Sequence, residues 1–232
     1  MPKLSFRLEA ICSLVPFGAR VCDIGTDHGY LSIELVKQKK AKSVIATDIN
    51  EKPLSRARKN IALSGVEGIS LRLCDGLSGV NKGETDCVII AGMGGEVIAK
   101  IIEDAKDILN DKAVTIILQP TTSPEFLRKF LANNGFEIQE ELPIFENGKL
   151  YTAMRVCYVG MPRRYEEFWY FIGDLSPLNE NGKRYIEKQY LRCFKCMKSL
   201  ENTKKVDEFN YYKSICDGIN NYLAKAFKSE PV

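Results

Sequence analysis

The sequence predicts an α/β fold: a doubly wound, mostly parallel sheet of seven strands, followed by a C-terminal α-helical coiled-coil hairpin. Three observations carry this. Short apolar runs at residues 20–24, 43–48, 69–73, 86–91 and 113–118 are linked by segments of helical spacing, the texture of a parallel sheet with crossover helices. Two alternating segments, 136–145 and 150–159, flank Glu146-Asn147-Gly148-Lys149, which signals a closing antiparallel hairpin. After Gly160-Met161-Pro162 the apolar residues repeat at four-three spacing, as in helices packed along a seam.

Composition sets the limits. With 232 residues, 45% hydrophobic and 27% charged, the chain is globular and long enough for one sizeable core plus an appendage. No apolar run approaches a membrane span, and Met1 to Arg7 lacks a secretory hydrophobic region. Several of the eight cysteines (Cys22, Cys87 and Cys157 among them) fall inside strand patterns, so they are expected reduced and mostly buried, in a cytoplasmic protein. Cys193-x-x-Cys196 has no second pair, and His28 is the only histidine, so a packed helix face is the expectation and no metal is expected. The net charge of +3 lies after residue 160, a mild basic bias that permits a phosphate-bearing partner.

Taken in order, residues 4–15 show helical spacing through Leu4, Leu8, Ile11, Cys12 and Val15, with Arg7 on the other side. Pro16-Phe17-Gly18 ends that helix. Next comes Val21-Cys22-Asp23-Ile24-Gly25-Thr26-Asp27-His28-Gly29-Tyr30-Leu31: a strand, a glycine turn, and a helix expected from about Asp27 to Lys39. Asp27 is expected to cap that helix, and Gly25 to let a ligand approach the backbone. A dinucleotide site would want bare glycines facing a pyrophosphate. Here two carboxylates, Asp23 and Asp27, favour a cationic ligand instead; S-adenosylmethionine, with its ammonium and sulfonium, is one.

The second strand ends at Asp48, about 20 residues past the turn, where an acid grips a ribose diol in nucleotide-binding βαβ units. Asn50 is expected to cap the following helix, 51–63, leaving Asp48 free for a ligand. The third strand runs into Asp75-Gly76-Leu77, where Asp75 either receives the amine of an adenine or makes a plain turn. The fourth strand, 86–91, opens into Gly92-Met93-Gly94-Gly95, room for a flat substrate beside the donor, with residues 96–109 helical behind it. A fifth strand ends at Gln119-Pro120, and a helix spans 124–133 up to Asn134-Gly135. Asp23, Asp48, Asp75 and Gly92 all fall at carboxyl ends of strands, where ligands bind on such sheets.

Beyond residue 160, a short helix is expected over 163–172. Two long ones follow, marked by Ile186, Tyr190, Cys193, Met197 and Leu200, then by Phe209, Tyr212, Cys216, Ile219, Leu223 and Ala226. The first long helix carries Lys183, Arg184, Lys188, Arg192, Lys195 and Lys198 with few acids between, a face suited to a phosphate backbone or simply to solubility.

Residues 23–31, Asp75-Gly76-Leu77 and Ala91-Gly92-Met93-Gly94-Gly95, together with the opening Leu4-Ser5-Phe6-Arg7-Leu8, closely resemble the motifs of bacterial tRNA (adenine-22-N1)-methyltransferases. The resemblance covers essentially the whole chain. Thr26 and Gly29 stand where relatives often carry Ser and Ala. It implies a Rossmann-like class I methyltransferase fold, S-adenosyl-L-methionine as donor, and methylation of N1 of an adenine in the D-loop region of tRNA. A cofactor set of Arg7, Asp23, Gly25, Asp48, Ile49, Asp75, Gly76, Ala91, Gly92 and Met93 follows: Asp23 and Gly25 at the methionine moiety, Asp48 at the ribose, Asp75 at the adenine, Arg7 at the carboxylate. Many amino-methyltransferases carry an Asn/Asp-Pro-Pro-Tyr/Phe motif after the fourth strand; here Gly-Met-Gly-Gly stands instead, which suits N1, a nitrogen with a free lone pair and no proton to remove. Asp27, Tyr30 and His28 are the expected catalytic group, Asp27 accepting from the N6 amine and Tyr30 stacking on the base. The expected segments are a donor-binding domain, 1–160, and a helical tRNA-binding domain, 161–232, whose removal from residue 162 onward would abolish tRNA binding but not donor binding. The expected partner is tRNA, not a membrane, and the expected state a monomer or weak dimer. The alternative is a methyltransferase acting on a protein or small molecule.

Overall fold

The computed structural model describes residues 4–228; residues 1–3 and 229–232, the outer ends of the two expected segments, lie outside the described residues. The strands are β1 (Ala19–Ile24), β2 (Ala41–Asp48), β3 (Ile69–Leu73), β4 (Cys87–Gly94), β5 (Thr115–Thr122), β6 (Phe136–Glu146) and β7 (Lys149–Tyr158). They form one sheet of order β3-β2-β1-β4-β5-β7-β6. Strands β1 to β5 pair in parallel, whereas β7 runs antiparallel between β5 and β6. The seven-stranded doubly wound sheet read from the sequence is therefore present.

Alternation along the central strands divides the core. Cys22 and Ile24 pack with Val88 and Ile90 on one face, under α4 (Gly95–Asp104) and α6 (Pro124–Asn133). Val21, Cys87 and Ile89 point the other way, toward α1 (Phe6–Leu14) and α2 (Tyr30–Lys37). Continuous apolar strands covered on both faces are what a parallel sheet requires. The third crossover, α3 (Glu51–Ser64), ends at Gly65 in the left-handed region, a common helix stop.

Several boundaries differ from the sequence reading. Helix α2 begins at Tyr30 rather than near Asp27, because Gly25, Asp27 and Gly29 have φ of 75°, 43° and 71°, left-handed values a helix cannot hold. The helix after β4 breaks at Ala105 (φ −112°) into α4 and a single turn, α5 (Lys106–Leu109). The short helix expected over 163–172 is α7 (Glu167–Ile172). Ahead of it the backbone makes other bonds: Arg163 N–H donates to the Ala132 carbonyl, and Tyr165 N–H donates to the Tyr170 hydroxyl.

The long helices are α8 (Glu180–Leu200), capped by Asn179 accepting from Gly182 N–H at 3.0 Å, and α9 (Val206–Lys228), which folds back along α8. Tyr185, Ile186, Cys193, Ile215, Cys216 and Ile219 form their shared core. Cys193 is fully buried in that core while Cys196 is half-buried. Among the described residues no helix is long and apolar enough to cross a membrane.

One buried charge pair joins the helical region to the sheet. Arg128 on α6 meets Glu141 on β6 at 2.6 Å, with side chains 0% and 1% exposed. The same guanidinium donates to the Tyr170 and Phe171 carbonyls at 2.7 and 3.2 Å and reaches the Tyr185 hydroxyl at 3.4 Å. Burial alone would push the Arg128 pKa down; Glu141 outweighs it and the net shift is upward. Loss of one partner strands the other charge in the core. Arg128→Met or Glu141→Leu is therefore expected to lower stability by about 3–5 kcal/mol, and the double replacement to recover much of that loss. Urea unfolding of the three variants against wild type checks this.

Candidate active site

The site grows from the end of β1. Asp23 is only 4% exposed. Its Oδ2 accepts from the Thr26 hydroxyl and from the Ser32 hydroxyl, each at 2.7 Å. One carboxylate oxygen thus ties the strand to the turn and to the first turn of α2. The turn is also pinned across the sheet, since Gly25 N–H and Thr26 N–H both donate to the Thr47 carbonyl at 2.8 and 3.0 Å. Burial raises the Asp23 pKa above the usual carboxylate range, and the two hydroxyl bonds only partly oppose that. Ser32 is the partner that sequence reasoning missed; a serine inside an apolar helix stripe, one turn past a glycine turn, was the available signal.

Above this node lies a cleft of about 180 Å³. Asp23, Gly25, Asp27, His28, Tyr30, Ala91, Gly92 and Arg7 line it, joined by Thr26 and Gln119. Eight of the residues singled out in the sequence therefore meet in one place. Gln119, by sequence only a strand end, is 1% exposed and its Oε1 accepts from Gly92 N–H at 3.2 Å. It holds the left-handed Gly92 (φ 77°) in its conformation.

The remaining expected residues lie along the same edge but outside this cleft. Met93 borders it from beneath, since a Cβ on Gly25 would come 2.5 Å from Met93 Cε. Asp48 ends β2, where its carbonyl accepts from Cys74 N–H at 3.0 Å. Ile49 beside it is 66% exposed, an apolar surface at a ligand-binding edge. Asp75 and Gly76 line a second, larger cleft of about 500 Å³ between residues 75–82 and α4–α5. The two clefts are linked through Thr47, whose hydroxyl donates to the Gly76 carbonyl at 3.2 Å while its own carbonyl holds the Gly25 turn.

Two local expectations are corrected. Asp27 does not cap α2: its side chain is 61% exposed and lies 3.5 Å from His28 Nε2 and 3.9 Å from Arg56, and Gly29 occupies the cap position without a side-chain bond. Gly29 N–H donates to the Thr26 carbonyl instead, so the backbone turn closes itself. Asn50 does sit at the N-cap of α3, but its side chain makes no capping bond. Its N–H donates to Asp48 Oδ1 at 2.8 Å, so Asp48 is not wholly free. Arg7, expected at a ligand carboxylate, lines the cleft while its Nε meets Glu146 Oε2 at 2.8 Å and its guanidinium lies 5.1 Å over the Tyr151 ring. Burial would raise the Glu146 pKa, but bonds from Arg7 N–H, Ser5 and the Arg7 guanidinium hold it below the usual carboxylate range. Arg7 therefore borders the cleft in a fixed pose.

His28 and Tyr30 stack on each other with ring centroids 5.4 Å apart and planes 11° from parallel. Asp27, in a left-handed conformation that non-glycine residues seldom adopt, presents its carboxylate beside them. The site thus offers one flat aromatic pair, one exposed carboxylate and one buried carboxylate. Those groups suit a cationic ligand beside Asp23 and a planar base on the ring pair. At left-handed Gly25 the Met93 side chain already lies where a Cβ would stand, so glycine alone fits there and the backbone at this end of the cleft stays bare.

Comparison with known proteins agrees. Residues 4–154 match the family model described as a methyltransferase domain. The chain is 39% identical over 153 residues to the tRNA (adenine(22)-N(1))-methyltransferase of Bacillus subtilis, a stretch that spans 66% of this chain and 64% of that protein. The crystal structure of the B. subtilis m1A22 tRNA methyltransferase TrmK superposes with a TM-score of 0.80 at 28% identity, covering 94% of this chain and 96% of that one. M. capricolum TrmK, solved with S-adenosyl-homocysteine, gives 0.78 at 29% identity over 94% and 98%.

Because burial keeps the Asp23 carboxyl raised, ionising it costs the ligand-free protein stability as pH rises through its folded value. A cationic donor offsets that cost only where Asp23 is charged. The thermal shift caused by S-adenosyl-L-methionine is therefore expected to grow as pH rises through the raised Asp23 value, and to lose this dependence in Asp23→Asn. Ser32→Ala, which removes one of the two stabilising hydroxyls, is expected to lower stability by about 1 kcal/mol and to weaken donor binding, read by calorimetry.

Proposed function

The chain belongs to the methyltransferase-domain family, in the branch of the tRNA (adenine(22)-N(1))-methyltransferases, and on that premise we propose that it methylates N1 of adenine 22 in tRNA with S-adenosyl-L-methionine as donor. The observation that carries the reading is a single cleft in which a buried carboxylate, a left-handed glycine and a stacked aromatic pair with an exposed carboxylate face one another. When bound, S-adenosyl-L-methionine supplies a methyl group on a sulfonium, which the N1 lone pair can accept. Residues suited to hold it are Asp23 and Gly25 at its methionine end, Asp48 and Ile49 at the ribose and adenine, and Asp75, Gly76, Ala91, Gly92 and Met93 along the same edge. Arg7, fixed by Glu146 and Tyr151, supplies a positive charge at the mouth.

N1 bears no proton, so no strong base is required. What the protein must provide is alignment, a contribution of several kcal/mol when the reacting atoms are held in line. The Watson–Crick edge must first be exposed, so the adenine leaves its stack and is received on the His28–Tyr30 pair. Each base stacked on an aromatic contributes about 1–3 kcal/mol. As N1 gains positive charge, the N6 amine becomes a stronger donor, and the Asp27 carboxylate accepts from it. His28 acts by supporting Tyr30 and lying beside Asp27.

The helical segment 161–232 is proposed as the tRNA-gripping part, through shape and phosphate contacts. Its basic face is more engaged internally than the sequence suggests. Arg192 pairs with Glu125 at 2.9 Å, Lys198 pairs with Glu201 at 2.9 Å, and Arg184 lies 4.3 Å over the Phe145 ring. Lys183, Lys188 and Lys195 remain to face a backbone. Deleting the segment would also strip the cover from Arg128 and Glu141, so point variants are the cleaner probe.

The deciding experiment incubates the protein with labelled donor and unmodified tRNA, in parallel with a metabolite extract, and maps the modified nucleotide. Label at N1 of adenine 22 is the expected result, and label in the extract alone would refute the reading. Asp27→Ala and Tyr30→Ala are each expected to lower turnover on tRNA at least tenfold with donor affinity unchanged. Wild-type turnover in Asp27→Ala would remove its assigned role.

A further inference from the structure

A third cavity, of about 250 Å³, opens where the sheet meets the helical segment. Its walls are Ser123 and Pro124 at the start of α6, Thr152 on β7, and Lys188, Gln189 and Arg192 on α8. It adjoins the donor cleft at two points. Gln119 lines the cleft and the next residue, Pro120, lines the crevice. Arg7 lines the cleft and stacks on Tyr151, which lines the crevice.

Two of these walls carry polar atoms that folding leaves unused. Thr152 Oγ1 and Gln189 Oε1 are buried without a hydrogen-bond partner, in residues 1% and 5% exposed. Buried polar side chains are satisfied in the large majority of cases, and each exception requires a cause. Two exceptions facing one crevice point to a ligand that completes them. The other groups present say what kind. Lys188 is exposed, with no ion-pair partner among the described residues. Helix α6 begins here with Ser123 at φ 49° and no side-chain cap; Pro124 has no N–H to leave open, so the N–H groups without an intrahelical partner are those of Glu125 and Phe126, at the helix's positive end. Glu125, next to Pro124, pairs through Oε1 with Arg192 at 2.9 Å, while its Oε2 is also buried without a hydrogen-bond partner.

An ammonium and an uncapped helix start are donors for a phosphate, and the Thr152 hydroxyl beside them is a donor for a second oxygen. Gln189 Oε1 is an acceptor, which a phosphate oxygen cannot satisfy but a ribose 2′-hydroxyl can, and that hydroxyl is what distinguishes RNA from DNA. We propose that this crevice seats one ribose-phosphate unit of the RNA strand whose adenine enters the neighbouring cleft. The inference rests on the tRNA reading and specifies where, beside the donor, that strand is held. The phosphate lies between Lys188 and the α6 N-terminus, and the 2′-hydroxyl donates to Gln189 while accepting from Thr152.

Three near-isosteric variants test it: Thr152→Val, Gln189→Met and Lys188→Gln. Methylation kinetics on unmodified tRNA, donor affinity by calorimetry and thermal melting are measured for each. Thr152→Val and Gln189→Met are expected to raise KM for tRNA about 3–10-fold, one hydrogen bond each, with kcat and donor affinity near wild type. Thr152→Val is not expected to lower the melting temperature, because the hydroxyl it removes has no partner in the fold. Lys188→Gln is expected to reduce the slope of log affinity against log salt by about 0.7–0.9, one phosphate contact. If wild type methylates tRNA and all three variants keep its KM and salt slope, the crevice is not an RNA contact and the proposal falls while the activity stands. Loss of donor affinity in step with KM would make the effects structural and equally overturn it. A wild-type protein that neither binds nor methylates tRNA would remove the functional reading, and this subsite with it.

Discussion

A single buried oxygen, Oδ2 of Asp23, is the constraint on which the turn beneath the cleft depends. It accepts from Thr26 and Ser32, so the strand end, the glycine turn and the first turn of α2 cannot move independently. Burying a carboxylate is costly unless its hydrogen bonds are made, and two neutral hydroxyls do not fully offset the desolvation, which is why the Asp23 pKa stays raised. The unrelieved part is available to a ligand. A cation placed there gains from a charge the fold has already positioned, without reorganising it. The same turn holds the left-handed residues Gly25, Asp27 and Gly29, and it is pinned to Thr47 from one side and to Asp23 from the other.

The Arg128–Glu141 pair plays the corresponding part for the second segment. A buried ion pair is weak evidence of stability, since apolar residues of similar volume often do as well. Its geometry is the informative part. Arg128 touches α6, β6, α7 and Tyr185 of α8 at once, so the helical hairpin is oriented by a directional fork rather than by apolar contact alone. Gly173 is required beside it, because a Cβ there would collide with Glu141. The crevice between α6, β7 and α8 therefore has walls in a fixed relation, which a contact shared between the two segments needs.

Much of this was legible in the residues, for physical reasons. Strands covered on both faces must be continuously apolar, so β1, β2, β4 and β5 announce themselves, and acids or glycines at their ends mark the ligand edge. Pro124 and Asn134-Gly135 bracket α6 because each acts through its own backbone geometry. What stayed hidden depends on long-range contact. Asp27 looks like a cap by spacing alone, and only the left-handed turn excludes it. Gln119 has no local signal; its role appears when β4 and β5 pair. Arg128 reads as an ordinary helix charge until β6 and α7 close over it. The basic stripe on α8 was visible, but its partners Glu125 and Phe145 lie far away in sequence, so its free charge was overstated.

The three sites share one pattern of incomplete satisfaction. Asp23 lacks a full counter-charge, Asp27 is held in a strained conformation with its carboxylate turned outward, and Thr152 and Gln189 lack partners. A chain optimised for folding alone would remove each of these, since an apolar or small residue at the same place costs less. They lie within one continuous region, linked through Gln119–Pro120 and Arg7–Tyr151. That grouping is itself the argument for a donor, a base and a backbone bound side by side. Scattered defects would mean only tolerance, whereas neighbouring ones of complementary chemistry, a buried carboxylate, an exposed carboxylate and a donor–acceptor pair, are what the proposed arrangement of donor, base and ribose-phosphate requires.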